Sequence, residues 1–161
     1  MKELKNVKSY KNIKEDLNLA QWPYPSSQLV SSQVREQVAE LLTYGGVGEL
    51  KVPGTFLSIV PQVINLPVAE VAELLSMSKS TYYRAREEGI LDMDTIDKLS
   101  SLFKLYQRGL EVFEDQEDFE DWLKTKIISL GGQKPISLLK TENGRAAVSD
   151  TLGRIEHGVY G

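Results

Sequence analysis

Apolar residues recur every three or four positions along most of the chain beyond residue 30, which places them on one face of an α-helix. In the last such stretch, Val148, Leu152 and Ile155 stand at i, i+4 and i+7. The alternation that predicts β-strands is weak, and only residues 47–52 could pair briefly. The pattern therefore predicts an all-α fold with two helical units in series. The predicted helices span 32–44, 55–65, 68–75, 79–88, 93–113, 118–128, 136–139 and 142–157.

The N-terminal region has a different pattern. Residues 1–20 carry lysines at every third position from 2 to 14, with apolar residues between them, which predicts a solvated amphipathic helix or a frayed extension. Two prolines within residues 22–27 predict a linker, because proline breaks a helix interior and makes the residue before it extended. The sequence does not indicate a role for residues 1–50.

Residues 68–88 have the spacing of a helix-turn-helix, in which two helices cross at a short turn. Ala72 is the small residue at the crossing, and Tyr82 faces inward from the second helix. Ser78 can cap the second helix by accepting a hydrogen bond from a free backbone amide. Ser76 stands where such turns usually carry glycine, so we expect the turn to be strained or slightly open.

The outward face of the second helix is predicted to contact DNA. Its lysine, its hydroxyl groups and the helix N-terminus suit phosphates, while Ser80 and Arg84 could reach base edges in a major groove. The alternative is a helical hairpin with a polar, solvated face. The predicted DNA-binding residues are Ser78, Lys79, Ser80, Thr81, Tyr83 and Arg84.

The end of the chain predicts a surface for a partner. Thr141 can cap the last helix, and Gly158 can end it in the left-handed conformation. Val159, Tyr160 and Gly161 would then project from a fixed helix end. Tyr160 offers an aromatic ring and Gly161 a carboxylate to a pocket of another molecule. The alternative is a tail that only closes the helix.

Composition narrows the class of protein. The formal net charge of −4 argues against non-specific coating of nucleic acid, although it leaves room for a small DNA-reading domain. The chain has no cysteine, so it has neither disulfides nor thiolate metal sites. No apolar run approaches the roughly 20 residues that a membrane span needs. These features predict a cytoplasmic protein without a membrane partner.

Catalytic constellations are missing from the sequence. His157 is the only histidine, and no serine, cysteine or acid stands with it at the spacing of a triad. The seven acidic residues within 111–121 lack the histidine, cysteine or glycine of a metal loop, so they predict a solvated acidic face. The glycines at 45–48 are not followed by the Lys-Ser/Thr of a phosphate loop. We therefore predict no enzyme activity, no metal and no cofactor.

Three motifs near the C-terminus resemble the Xre-type antitoxins of RES–Xre type II toxin–antitoxin systems, the MbcA/ParS/Xre group. The resemblance covers roughly residues 50–161, and the three motifs together are more specific than any one of them. The motifs are Leu130-Gly131-Gly132-Gln133-Lys134-Pro135, Leu138-Leu139-Lys140-Thr141-Glu142-Asn143-Gly144 and Arg154-Ile155-Glu156-His157-Gly158-Val159-Tyr160.

The resemblance implies an antitoxin whose C-terminal tail covers the active site of a RES-domain toxin that breaks down NAD. It divides the chain into an extension of unknown role at 1–50, a helix-turn-helix module at 51–110 and a toxin-binding domain at 111–161. We expect the last two parts to be separable. The residues expected to contact the toxin are Arg145, Arg154, His157, Val159, Tyr160 and Gly161.

The resemblance also implies that the protein binds its own operator as a homodimer, since two-fold operators require two-fold readers. The apolar stripe on the predicted helix at 93–113 is wide enough for the helix-turn-helix and for a second subunit. The alternative function is a transcriptional regulator whose C-terminal domain dimerises or senses a ligand. The stripe consists of Met93, Ile96, Leu99, Leu102, Phe103, Tyr106 and Leu110.

Overall fold

A computed structural model describes residues 32–159 of the chain, with side chains from residue 36 onward. The predicted N-terminal extension and linker, and the predicted toxin contacts Tyr160 and Gly161, lie outside this range. Within it, eight α-helices and two short 3-10 helices form the fold, and the predicted all-α class is confirmed. The helices are α1 Ser32–Thr43, α2 Val60–Val63, α3 Val68–Leu74, α4 Lys79–Glu87, α5 Met93–Val112, α6 Gln116–Lys124, α7 Pro135–Leu138 and α8 Glu142–Glu156, and the 3-10 helices are Gly54–Ser58 and Ile128–Leu130.

Two predicted helices are wrong in extent. The helix expected at 55–65 breaks at Ile59 into a 3-10 helix and α2, because Pro61 has no amide to donate to the carbonyl of Leu57. The helix expected at 118–128 begins at Gln116 and ends at Lys124. The following segment is extended, and Ile127 pairs with Gln133 in an isolated antiparallel bridge. This pairing joins residues across a turn, which helical periodicity does not reveal.

The brief pairing considered for residues 47–52 involves only the end of that stretch. The amide of Leu91 donates to the carbonyl of Val52 at 2.9 Å, and Pro53 forms an isolated bridge with Ile90. The contact ties the segment after α1 to the segment between α4 and α5.

Helices α3 and α4 meet at a four-residue turn. Ser76 adopts a φ of +58°, in the left-handed region that a side chain disfavours, as expected for a residue in a glycine position. The Oγ of Ser78 accepts from the amide of Thr81 at 3.1 Å and caps α4. Ala72 and Tyr82 are both buried where the two helices pack. The predicted turn geometry and cap are therefore present in the structure.

The apolar stripe of α5 is buried inside the single chain. It packs against α1 on one side and α8 on another, and Met93 is its only strongly exposed member. The sequence suggested that this stripe would also cover a second subunit, and that expectation is wrong for its five buried members. The helices of the same chain occupy the surface that a partner was expected to use. The buried members of the stripe are Ile96, Leu99, Leu102, Phe103 and Tyr106.

The two parts expected to be separable share one core. Buried residues from Val38 to Leu152 form one continuous cluster that crosses the predicted boundary at 110. Polar contacts also cross it, including Lys140 to Glu73 at 2.7 Å. The boundary therefore marks a change in sequence character and does not separate two independent cores in the described part of the chain. None of the helices within residues 32–159 combines the length and the apolar character that a membrane span requires.

Candidate functional site

Helix α8 ends in a geometry that fixes the direction of the tail. Gly158 has a φ of +68°, and its amide donates to the carbonyl of Ile155 at 3.0 Å. The amide of Val159 donates to the carbonyl of Arg154 at 2.8 Å. These two bonds form a Schellman motif, which satisfies carbonyls that the helix would otherwise leave free. The predicted left-handed cap at Gly158 is confirmed, and Val159 leaves the helix 58% exposed.

The start of α8 is equally well defined. The Oγ1 of Thr141 accepts from the amide of Gly144 at 3.0 Å, as predicted for the cap. A Cβ added at Gly144 would lie 1.9 Å from the carbonyl oxygen of Leu138, so α7 approaches the first turn of α8 more closely than a side chain would allow. Glycine at this position lets the short helix α7 pack directly on α8.

A mostly apolar groove of 380 Å³ lies beside the end of α8, between this helix, α6 and the turn that follows α6. The rings of Phe113 and Trp122 stand 5.7 Å apart at its wall, and Phe119 stacks beneath Trp122 at 6.3 Å. The groove is lined by Phe113, Trp122, Ile127, Ser129, Thr151, Arg154, Ile155 and Val159.

Gly109 explains why the aromatic cluster forms at this place. A Cβ added to this buried glycine of α5 would lie 2.2 Å from the ring of Phe119. The absent side chain therefore lets Phe119 lie against the backbone of α5, where it also meets Tyr106 edge to face at 5.5 Å. A lone glycine inside a helical pattern often has such a packing role, and this signal was available in the sequence.

The turn after α6 displays an apolar side chain to solvent. Ile128 is 92% exposed on the 3-10 helix Ile128–Leu130, while Leu130 is buried. The amide of Ile127 donates to the carbonyl of Gln133 at 3.0 Å, and the amide of Gly132 donates back to the carbonyl of Ile127 at 2.9 Å. The sequence pattern predicts Ile128 at a helix end and indicates no function for it.

Exposed basic groups lie near the groove. Arg154 is exposed at its rim, and it has no ion-pair partner among residues 36–159. His157 is also exposed, two residues before the first tail residue, Val159. Arg108 donates to Glu156 at 2.7 Å, which neutralises the acid nearest to this helix end. Positive charge thus remains available at the base of the tail.

Arg145 does not belong to this surface. Only 8% of it is exposed, and its Nε donates to the Oγ of Ser101 at 2.9 Å. Its Nη1 donates to the carbonyl of Leu139, also at 2.9 Å. Burial lowers the pKa of the guanidinium, and the charge of Glu142 opposes that shift. We therefore assign Arg145 to the support of α8 and correct its expected role as a toxin contact.

The second candidate surface is the outer face of α4. Lys79, Ser80 and Arg84 are exposed, whereas Thr81 is half buried and holds the cap with Ser78. Arg84 pairs with Glu88 at 3.6 Å, and both side chains remain largely exposed.

A cation–π contact also shapes this face. The guanidinium of Arg86 lies 5.0 Å from the centre of the exposed Tyr83 ring. Arg86 is not among the residues that the sequence predicts on this face. Its position is explained by α-helical geometry, because residues three apart are neighbours on a helix surface.

Comparison with known proteins identifies a family domain in the C-terminal third of the chain. The sequence profile of the Antitoxin Xre/MbcA/ParS C-terminal toxin-binding domain matches residues 108–158. The chain belongs to this antitoxin family through that domain. The match includes α6, the exposed turn, α7 and α8, and it contains every residue that lines the groove except Val159. The predicted membership and the prediction that the chain is not an enzyme are both confirmed.

Three relatives extend the comparison. Antitoxin Xre of Yersinia enterocolitica is 30% identical over 98 residues, which are 60% of this chain and 66% of that protein. Antitoxin Xre of Photorhabdus laumondii is 26% identical over 111 residues, which are 66% of this chain and 75% of that protein. A Prs ADP-ribosylating antitoxin of Sphingobium is 40% identical over 48 residues, or 30% of each chain. The chain thus spans just under two thirds of the Yersinia relative.

Proposed function

We propose that this member of the Xre/MbcA/ParS family is the antitoxin of a type II toxin–antitoxin pair, and that it binds and neutralises a RES-domain toxin. The match of residues 108–158 to the family's toxin-binding domain carries this proposal. The names of the Yersinia and Photorhabdus relatives support it. The groove and the end of α8 both lie in or beside the matched region, so they are the surfaces that we assign to the toxin.

The proposed toxin degrades NAD. The resemblance to RES–Xre systems is the first argument for this reaction. The name of the Sphingobium relative supplies a second one, because ADP-ribosylation takes its transferred group from NAD. A pocket for NAD needs aromatic walls for the rings and basic donors, arginine above all, for the pyrophosphate.

The tail at 159–161 is proposed to enter that pocket. The Schellman motif fixes the backbone at Val159, so Tyr160 follows from a defined starting point. Its aromatic ring suits an aromatic slot, and Gly161 has no side chain to prevent close approach of the backbone. We propose that Arg154 and His157, which are both exposed at the end of α8, pair with a carboxylate at the mouth of the pocket.

The same protein is proposed to regulate its operon by binding DNA as a homodimer. The exposed hydroxyl and basic groups on α4 support the DNA contact, together with the short turn before this helix. Because the α5 stripe is buried, we propose that the second subunit packs on Ile90 and Met93. Both side chains are exposed; Ile90 lies in the segment between α4 and α5, and Met93 is the first residue of α5.

The proposal is tested with the purified chain and its cognate RES-type toxin. Calorimetry should give a dissociation constant on the order of nanomolar, as for other stable protein complexes. Toxin mixed with equimolar chain should lose its NAD-degrading activity. The double variant Lys79→Ala, Arg84→Ala is the control, and it should bind and inhibit like the unaltered protein. Undiminished NAD breakdown with an excess of folded chain would contradict the proposal.

A further inference from the structure

Ile128 is held in a position that is unfavourable for the free protein. A fully exposed isoleucine leaves apolar surface in water, at about 25 cal/mol for each Å² that could have been buried. The turn around it nevertheless has a defined backbone, because Gly131 and Gly132 take φ values of +68° and +72° and Ile127 bonds to Gln133. Leu130, two residues on, anchors the turn in the core. The structure therefore presents Ile128 on a rigid support.

The groove begins beside this isoleucine. Ile127 and Ser129, its two neighbours in sequence, both line the groove, and Trp122 and Ile155 form apolar walls. The projecting side chain of Ile128 and the adjacent groove therefore form one continuous apolar surface. Such rigid apolar anchors in desolvated pockets provide most of the energy in protein interfaces.

We propose that Ile128 and this groove form an apolar docking surface for the body of the toxin, separate from the tail that enters its active site. An apolar side chain of the toxin fills the groove, and Ile128 enters a hollow on the toxin. This inference rests on the proposed function, because it takes the toxin as the partner. The docking surface provides affinity for the toxin, and the tail provides inhibition of its active site.

Two observations favour the toxin as the occupant. Ile128 and the groove wall lie within residues 108–158, which match a toxin-binding domain. Val159 lines the groove and is also the first residue of the tail, so a protein that receives the tail passes directly over the groove. The exposed Arg154 at the rim adds a site for an acidic toxin residue beside the apolar contact.

The test compares two full-length variants by calorimetry with the purified toxin. Ile128→Lys should weaken binding roughly 30-fold, the loss typical of an interface hot spot. Val47→Lys is the matched control, because Val47 is 91% exposed and lies outside the toxin-binding domain, and its affinity should not change. Ile128→Ala should weaken binding in the same direction by a smaller factor. Circular dichroism checks that each variant is folded.

Deleting residues 160 and 161 separates the two roles, because it leaves Val159 in the groove. The shortened protein should keep most of its affinity for the toxin and lose inhibition of NAD breakdown. If the unaltered protein binds the toxin and Ile128→Lys binds it with the same affinity, the docking surface is overturned and the proposed function remains intact. Failure of the unaltered protein to bind the toxin would overturn both.

A photo-crosslinking amino acid at position 128 of the full-length protein identifies the occupant directly. Cross-links to the toxin, seen as a single new band with the mass of the pair, support the inference. Cross-links to residues 1–31 of the same chain, or to a second copy, with none to the toxin, would overturn it.

Discussion

At the scale of single residues, two buried tyrosines differ in how their hydroxyl groups are satisfied. The hydroxyl of Tyr82 donates to the carbonyl of Leu57, which is free because Pro61 cannot donate to it. The hydroxyl of Tyr106 has no hydrogen-bond partner among the described residues. Burial raises the pKa of both groups, that of Tyr82 to about 12, so both stay neutral at physiological pH.

This difference predicts opposite responses to removal of the hydroxyl group. Tyr82→Phe should destabilise the protein by about 1–3 kcal/mol, because the buried carbonyl of Leu57 loses its donor. Tyr106→Phe should be neutral or stabilising by up to about 1 kcal/mol, because it removes a buried group that has no partner. Urea unfolding of the two variants measures both changes. A larger loss for Tyr106→Phe than for Tyr82→Phe would contradict this explanation.

At the scale of elements, the sequence predicts most helices because their ends and buried faces are encoded locally. The caps of α4 and α8 depend on Ser78 and Thr141, each bonded to an amide three residues away. The buried face of α8 follows from the spacing of Val148 and Leu152. Such features need no knowledge of distant contacts.

The candidate site is predicted less completely, because it depends on contacts between distant segments. The groove forms only where α6, its following turn and α8 meet, and periodicity does not place these segments together. Arg145 looks like a surface cation in the sequence, but packing of α8 on Ser101 buries it. Ile128 looks like one more core residue, but the bridge between Ile127 and Gln133 turns it outward.

The exposed face of α4 predicts how DNA binding should respond to mutation. Lys79→Ala combined with Arg84→Ala should weaken operator binding and flatten its salt dependence, because a phosphate contact is lost. Loss of the arginine alone should relax base preference by about 1–3 kcal/mol. The control, Lys124→Ala with Lys126→Ala, removes the same two charges from exposed positions elsewhere. If both double variants bind the operator with equal affinity in gel-shift titrations, α4 is not the helix that contacts DNA.

At the scale of the whole molecule, the part of the chain before residue 110 and the toxin-binding domain depend on each other for stability. Leu139, Val148 and Leu152 of the C-terminal part are fully buried in the shared core. Helix α8 packs along α5, and Arg145 bonds to Ser101 of that helix. Removing the C-terminal part would therefore expose much of the apolar face of α5.

A fragment of residues 1–110 should consequently fail to fold cooperatively. We expect a broad unfolding transition and binding of a hydrophobic dye, in place of the independent module that the sequence suggested. Full-length protein measured in the same buffer is the control. A sharp, two-state transition of the fragment would show that the shared core is not required.

The central claim is that the chain neutralises an NAD-degrading toxin and that its tail at 159–161 blocks the active site. The most direct measurement is the NAD content of cells that express the toxin with full-length protein or with protein lacking these residues. Full-length protein should preserve NAD, whereas the shortened protein, present at the same level, should let it fall. Preservation of NAD by the shortened protein would contradict the claim.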